Sequence, residues 1–365
     1  MARLFDESRL DDEEALARAD IVLRPLAEAG ARVRREAGAA AEAIEAAVAA
    51  AAGDARPRAV IAAGPDSRLL RAVLEPWCPV PFVAWPGPSL PGWAGSLDLV
   101  VVLSPEGSDS QSASAVAEAV RRGCQCVVAC PEHSLVAEHA EGRHSTVLPV
   151  DTRDQLATAV VMLEFLDRLD LGPETDPEAV ATALDDVAIS CSPYKDLAVN
   201  PAKMLAIALA DSLPLVWGGS VLAARAARRV AESIRRTSGR AALAADAEHL
   251  LPVISAARRR DVFADPYADP DADPYAAPYD DLSDPDAADR RPILMILDDG
   301  SSDASVREQR GRLVAAARER DVRVETVTAD ASNEVARYAA LLATGTFAAA
   351  YLGVGLDHLH GGLTG

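Results

Sequence analysis

Aromatic residues make up only 4% of this 365-residue chain, so surfaces for stacking bases or sugar rings are scarce. Basic residues are also outnumbered, 36 against 56 acidic ones, for a formal net charge of -20. A surface of that sign repels nucleic acid and anionic membrane at long range, and both are excluded as partners. The five cysteines are an odd number, and the opening "MARLFDESRLDDEE" is acidic and lacks the apolar core of a secretory signal. The expectation is a cytoplasmic protein with reduced thiols. Cys124, Cys126 and Cys130 share one parity in the strand-like "CQCVVAC", which reads them as small core hydrophobes. Cys130 and His133 form a single Cys-x2-His pair with no second pair to complete a zinc site, so no metal is expected.

Motifs for other chemistries are missing as well. "GPDSRL" and "WGGS" lack the Gly-Lys-Ser/Thr ending of a P-loop. No Gly-x-Ser-x-Gly nucleophile turn occurs. The Gly-x-Gly of "YLGVGL" follows a helical pattern rather than a strand, and no cofactor is called for. The single long uncharged run, Tyr338 to Leu356, carries threonines, glycines and many alanines and has no basic flank after it. It reads as a buried terminal helix, not a membrane span.

Half of the residues are apolar, and they are patterned. Over the first fifty residues Val33, Ala37, Ala40, Ile44 and Val48 recur at helical steps. Strand and helix then alternate: "RAVIAAG", "DSRLLRAVL", "PFVAW", "DLVVVLS", "QSASAVAEAVRRG", "CQCVVAC", "SLVAEHA" and "STVLPV". A mainly helical stretch from Asp154 to about Leu209 is broken at "LGPETDPEA". A second alternating series runs through "LPLVWGG", "SVLAARAARRVAESIRR", "RPILMILDDG", "SSDASVREQRGRLVAAARERD" and "VRVETVTAD". Short apolar strands separated by helices imply parallel sheets covered on both faces. The expected division is a helical segment at 1–57, an α/β domain at 58–170, a helical connection at 171–199 and a second α/β domain at 200–365. Within the last, residues 261–291 read as a disordered insertion, because ten aspartates from Asp261 to Asp289 and repeated prolines oppose a packed core. Those aspartates lack the Gly and terminal Glu of a calcium loop.

The most informative stretch is "VVVLSPEGSDSQSASAVAEAV", an apolar strand feeding a serine-rich loop and then a helix. That layout suits a phosphate at a helix N-terminus. Yet the loop carries Glu106 and Asp109 where an anion would sit. Either carboxylate can instead cap the helix itself.

Two stretches carry a family resemblance. "LVVVLSPEGSDSQSASAVAEAVRRGCQCVVAC" is similar to the strand, S-Y-S-G-N-T-E-E-T loop, helix and strand of sugar isomerase (SIS) proteins. "NPAKMLAIALADSLPLVWGGSVLAARAARR" resembles the segment that opens the second SIS domain of bacterial and archaeal bifunctional phosphoglucose/phosphomannose isomerases. "ARYAALLATGTFAAAYLGVG" looks like that family's last helix. The resemblance implies an α/β fold with two SIS-type domains, each a parallel, doubly wound, flavodoxin-like sheet flanked by helices. It also implies a homodimer.

Set against the family's motifs, the working residues are largely replaced. The serine-loop positions fall on Ser104, Glu106, Gly107 and Asp109, and the upstream glycine turn on "AAGPDS", keeping Gly64 and Ser67. The glutamate base within the family's N-E-N-A-K falls on Arg235 or Arg236, and arginine stays protonated. The family's histidine falls near Ala256, seven residues from His249, and a phosphate-side arginine falls on Gln155, beside Arg153. The resulting expectation is an SIS protein without isomerase activity that binds a carbohydrate derivative or serves as a regulatory or scaffolding partner. Gly64, Ser67, Ser104, Gly107, Ser108, Ser110 and Ser112 would line its ligand site, and loop solubility with helix capping is the plainer account of the serines. The acidic charge and insertion favour a basic protein partner. The alternative is an active aldose–ketose isomerase with relocated groups: Glu106 or Glu248 as base, His249 as ring-opening acid, and Lys203 or Arg236 holding the anion. On the plainer account Lys203 simply lies on a helix face.

Overall fold

The computed structural model describes residues 4–51, 53, 55–257 and 291–358. Of the segment read as an insertion, only Arg291 falls among them. The chain packs as two compact units. The first comprises Ala27–Ile189 and Ala331–Ala340, the second Met1–Leu26, Ser190–Asp330 and Leu341–Gly365. The N-terminal helical segment is therefore divided: α1 (Glu13–Ala27) falls almost wholly in the second unit and α2 (Ala29–Ala51) in the first.

The inner stripe of α2 comprises Gly30, Val33, Glu36, Ala40, Ile44 and Ala47. The sequence pattern places Ala37 and Val48 on that stripe, but both are only half-buried. A buried glutamate breaks the apolar pattern because its carboxylate has partners: Glu36 Oε1 accepts from Arg35 Nε at 3.0 Å, and Oε2 from the Asp151 amide at 2.6 Å.

In the first unit β1 (Val60–Ala63), α3 (Ser67–Leu74), β2 (Phe82–Trp85), β3 (Leu99–Leu103), α4 (Ser110–Arg122), β4 (Gln125–Cys130), α5 (Leu135–His139) and β5 (Ser145–Pro149) follow in turn, then α6 (Gln155–Arg168) and α7 (Pro177–Ser190). The sheet is wholly parallel with the order β2-β1-β3-β4-β5. β1 and β3 are buried at every residue, as strands covered on both faces must be. Ile61, Val100, Val102, Val116, Cys124, Cys126, Val128 and Cys130 share one core cluster, so the three cysteines of "CQCVVAC" pack as hydrophobes.

The second unit continues with α8 (Pro201–Leu209), β6 (Ser212–Gly218), α9 (Val221–Ser238), β7 (Leu243–Ala244), α10 (Ala247–Ser255), β8 (Arg291–Asp298), α11 (Ala304–Glu319), β9 (Arg323–Thr328) and the part of α12 (Glu334–Gly355) that follows Ala340. Its parallel sheet has the order β7-β6-β8-β9 around a core of Leu215, Trp217, Leu294, Ile296 and Leu313. The fold is thus α/β with two parallel, doubly wound sheets. α12 is the apolar run, and among the described residues it alone is long and apolar enough to cross a membrane. Most of α12 is buried, as a core helix would be.

In each sheet the chain leaves one central strand in one direction and returns past it. The reversals fall between β1 and β3 and between β6 and β8. Loops leaving the carboxyl ends of such neighbours diverge and open a crevice, the usual place for a ligand in this kind of sheet.

Candidate functional site

At the first reversal three buried serines lie on the segments that follow β1 and β3. The register sets Ala63 beside Val102, so Gly64 and Ser104 extend neighbouring strands at their carboxyl ends. Gly64 turns the chain with φ +87°, a conformation that glycine adopts without strain. Its amide donates to Trp85 O at 3.0 Å, and its carbonyl accepts from Ser67 N at 3.2 Å, which starts α3. A Cβ on Gly64 would lie 2.7 Å from Ser112 Oγ, so the bare glycine face lies against that hydroxyl. Ser67, Ser104 and Ser112 are 1%, 3% and 0% exposed, and the hydroxyl of each is buried with no hydrogen-bond partner. Leaving such a group unsatisfied costs about 1–3 kcal/mol apiece. Three around one glycine turn make a local concentration of unused donors.

The loop between β3 and α4 is held by its backbone. Ser104 N donates to Ala129 O at 2.9 Å, Gly107 N to Ser104 O at 3.0 Å, and Val136 N to Gly107 O at 3.1 Å. Asp109 is the N-cap of α4, its Oδ2 accepting from Ser112 N at 2.7 Å. Of the two loop carboxylates, Asp109 therefore caps the helix, while Glu106 is exposed to solvent. Ser108 and Ser110 are exposed too, so solubility and helix-end geometry account for them, but not for the three buried hydroxyls. On the other side Asp66 precedes α3, and its carboxylate accepts a short hydrogen bond from Gln155 Nε2.

Asp109 bears on what the crevice accepts. Its carboxylate already complements the positive end of α4, which otherwise attracts anions. An anion about 4 Å from a carboxylate meets repulsion of about 4 kcal/mol at an effective dielectric near 20. Neutral hydroxyl groups meet no such penalty, and serine hydroxyls can either donate to or accept from them.

The second reversal is built differently. Ser220 caps α9 and donates a short hydrogen bond to Asp299, which also accepts from Ser301 N at 3.2 Å. Asp298 accepts from Gly300 N at 3.1 Å and pairs with Arg310. Asp303 caps α11, accepting from Ser305 N at 2.7 Å. This crevice satisfies its own polar groups.

The residues of the alternative reading also have definite places. Lys203 lies on a face of α8, as the plainer sequence reading has it, and is fully buried there. Its ammonium donates to Asp11 Oδ1 at 2.7 Å, Lys195 O at 2.9 Å and Pro193 O at 3.0 Å, which uses all three N–H bonds and leaves none for an anion. Asn200, also buried, caps α8 by accepting from Ala202 N and Lys203 N, both at 3.1 Å, with Pro201 opening the helix. Asn200-Pro201-Ala202-Lys203 is therefore a structural clasp. Arg235 and Arg236 are exposed near the end of α9, with Arg236 3.7 Å from Glu232. Glu248 and His249 are exposed on α10. Among the described residues no group of three His, Cys, Asp or Glu side chains comes together to hold a metal.

Residues 198–357 match the bacterial phospho-glucose isomerase C-terminal SIS domain, over the stretch from the clasp to the end of α12. This stretch is of the SIS type. Similarity to solved structures extends over both units. The chain superposes on the tagatose-6-phosphate ketose/aldose isomerase of Escherichia coli with a TM-score of 0.63 and 13% identity, covering 92% of this chain and 93% of that one. A candidate phosphosugar isomerase from Bacillus subtilis gives 0.58 and 15%, covering 88% and 95%. The C-terminal domain of glucosamine-fructose-6-phosphate aminotransferase from Francisella tularensis gives 0.53 and 10%, covering 89% and 96%. At such identities the likeness shows a shared fold. No curated protein matches the sequence at a significant level.

Proposed function

We propose that this SIS-type, phosphosugar isomerase-like chain binds a carbohydrate derivative in the first unit and does not isomerise it. The observation that carries the reading is the set of three buried, unpartnered hydroxyls of Ser67, Ser104 and Ser112 around Gly64. Such groups suit a ligand rich in hydroxyls, because each can donate or accept.

The absence of isomerisation is argued from chemistry. Moving a proton between neighbouring sugar carbons needs a carboxylate or similar base beside them. By resemblance that position falls on Arg235 or Arg236, which cannot take up a proton. The relocated set gains no support from its surroundings: Lys203 has its donors committed, and Glu106, Glu248 and His249 are open to solvent.

The test pairs two measurements on the purified chain. A coupled assay with glucose 6-phosphate, fructose 6-phosphate and mannose 6-phosphate is expected to show no turnover above background. Thermal denaturation with the same sugars and their unphosphorylated forms is expected to show saturable stabilisation by at least one. Turnover that a Glu106→Gln or His249→Gln variant abolishes would establish the active isomerase instead. A flat denaturation series would remove the binding reading.

A further inference from the structure

Resting on that reading, we infer that the crevice of the first unit takes the uncharged hydroxyls of an unphosphorylated sugar or polyol and discriminates against the phosphate ester of the same sugar. Two independent features meet here. The first is the hydroxyl triplet of Ser67, Ser104 and Ser112, each nine-tenths or more buried and without a partner. The second is the charge placed beside it. Asp109 occupies the N-terminus of α4 with its carboxylate on the Ser112 amide, so the residue whose hydroxyl is free has its N–H already bound by an anion.

A phosphate dianion only accepts hydrogen bonds, and it needs compensating positive charge. Three serines could donate to it, but the positive end of α4 already carries Asp109. A sugar hydroxyl both donates and accepts, so it can satisfy a serine and also donate towards a carboxylate. At the corresponding place between β6 and β8 the serine hydroxyl of Ser220 is bonded to Asp299 and not left without a partner.

The experiment is isothermal titration calorimetry of the full chain with glucose, mannose, fructose and sorbitol, then with the three hexose 6-phosphates and inorganic phosphate. Saturable binding of at least one uncharged probe is expected, with its 6-phosphate at least tenfold weaker and inorganic phosphate silent. Ser104→Ala and Ser112→Ala should each weaken the uncharged probe about tenfold. Asp109→Asn keeps a good N-cap residue and should narrow or reverse the preference over the phosphate ester. Melting of each variant without ligand verifies that it is folded. A 6-phosphate that binds more tightly than its parent sugar would overturn this selectivity while leaving carbohydrate binding intact. Unchanged selectivity in folded Asp109→Asn would overturn the role given to that carboxylate. Silence from every probe would bring down both this inference and the function on which it rests.

Discussion

Ser112 and Lys203 are both polar residues on helices, both fully buried, and they stand in opposite conditions. The Ser112 hydroxyl has no partner, so removing it in alanine deletes an unsatisfied donor rather than a bond. Ser112→Ala is expected to leave the unliganded protein as stable as before or up to about 1 kcal/mol more stable, and to reduce stabilisation by ligand at a given sugar concentration. Urea melts with and without sugar read both effects at once. A serine that only supported the fold would show neither gain nor loss of response. Lys203 is the reverse case, holding Asp11 and two carbonyls with one ammonium. Lys203→Met should cost about 2–3 kcal/mol, less than a fully enclosed pair because water can reach the half-exposed Asp11. The midpoint of urea denaturation would show it, and a change under 1 kcal/mol would refute the clasp. From sequence alone the two residues were hard to rank. Serine in a loop-to-helix segment and lysine on a helix are usually exposed, and only contacts made by distant residues bury them.

At the scale of elements, local signals were strong. Asp109 caps α4, Asn200 caps α8 and Ser220 caps α9, each through its own side chain, and Gly123 ends α4 in the left-handed conformation. Capping depends on atoms two or three residues apart, which is why sequence can foresee it. The apolar stripe of α2 was legible only in outline, since Glu36 owes its buried place to Asp151, over a hundred residues away. Helix α12 holds a feature that composition conceals. A Cβ at Gly345 would lie 2.3 Å from Val230 Cγ2 on α9, so the glycine permits a close helix contact. Glycine to alanine inside a helix ordinarily stabilises by about 1 kcal/mol. Gly345→Ala is instead expected to destabilise by about 1–3 kcal/mol through overpacking, and Val230→Ala in the same chain should recover part of that loss. A stabilising Gly345→Ala in thermal melts would show that α9 and α12 do not meet this closely.

For the whole molecule, the five thiols give a global readout. Burial is the first cause that raises all five, and it pushes Cys126 up to about 12. The thiolate is the reactive form, so the native protein at pH 8 should react slowly with a thiol reagent, with half-buried Cys78 first. Full reactivity should appear only in denaturant. The linkage has a definite sign. A thiol whose folded pKa lies above its unfolded value near 9 favours the folded state below pH 9. That contribution falls away as pH rises from 9 towards 12, so the urea midpoint should drop across this window. A Cys126→Ala variant should lose part of the slope. An equal slope in both proteins would count against burial of this thiol.

The sequence by itself determined the two series of parallel strands, the caps of several helices, the buried nature of the terminal apolar helix and the strand-loop-helix at Ser104–Ser110. These follow from periodicity and from hydrogen bonds between near neighbours in the chain. The tertiary structure alone decided that α1 and α2 belong to different units, that Glu106 faces water, and that Lys203 and Glu36 are buried. It also selected Ser67, Ser104 and Ser112 from the serines that line the two loops. The reason is common to all of these. Whether a polar atom is buried, and whether it then finds a partner, depends on residues brought together from far along the chain, and residue type and spacing do not contain that information.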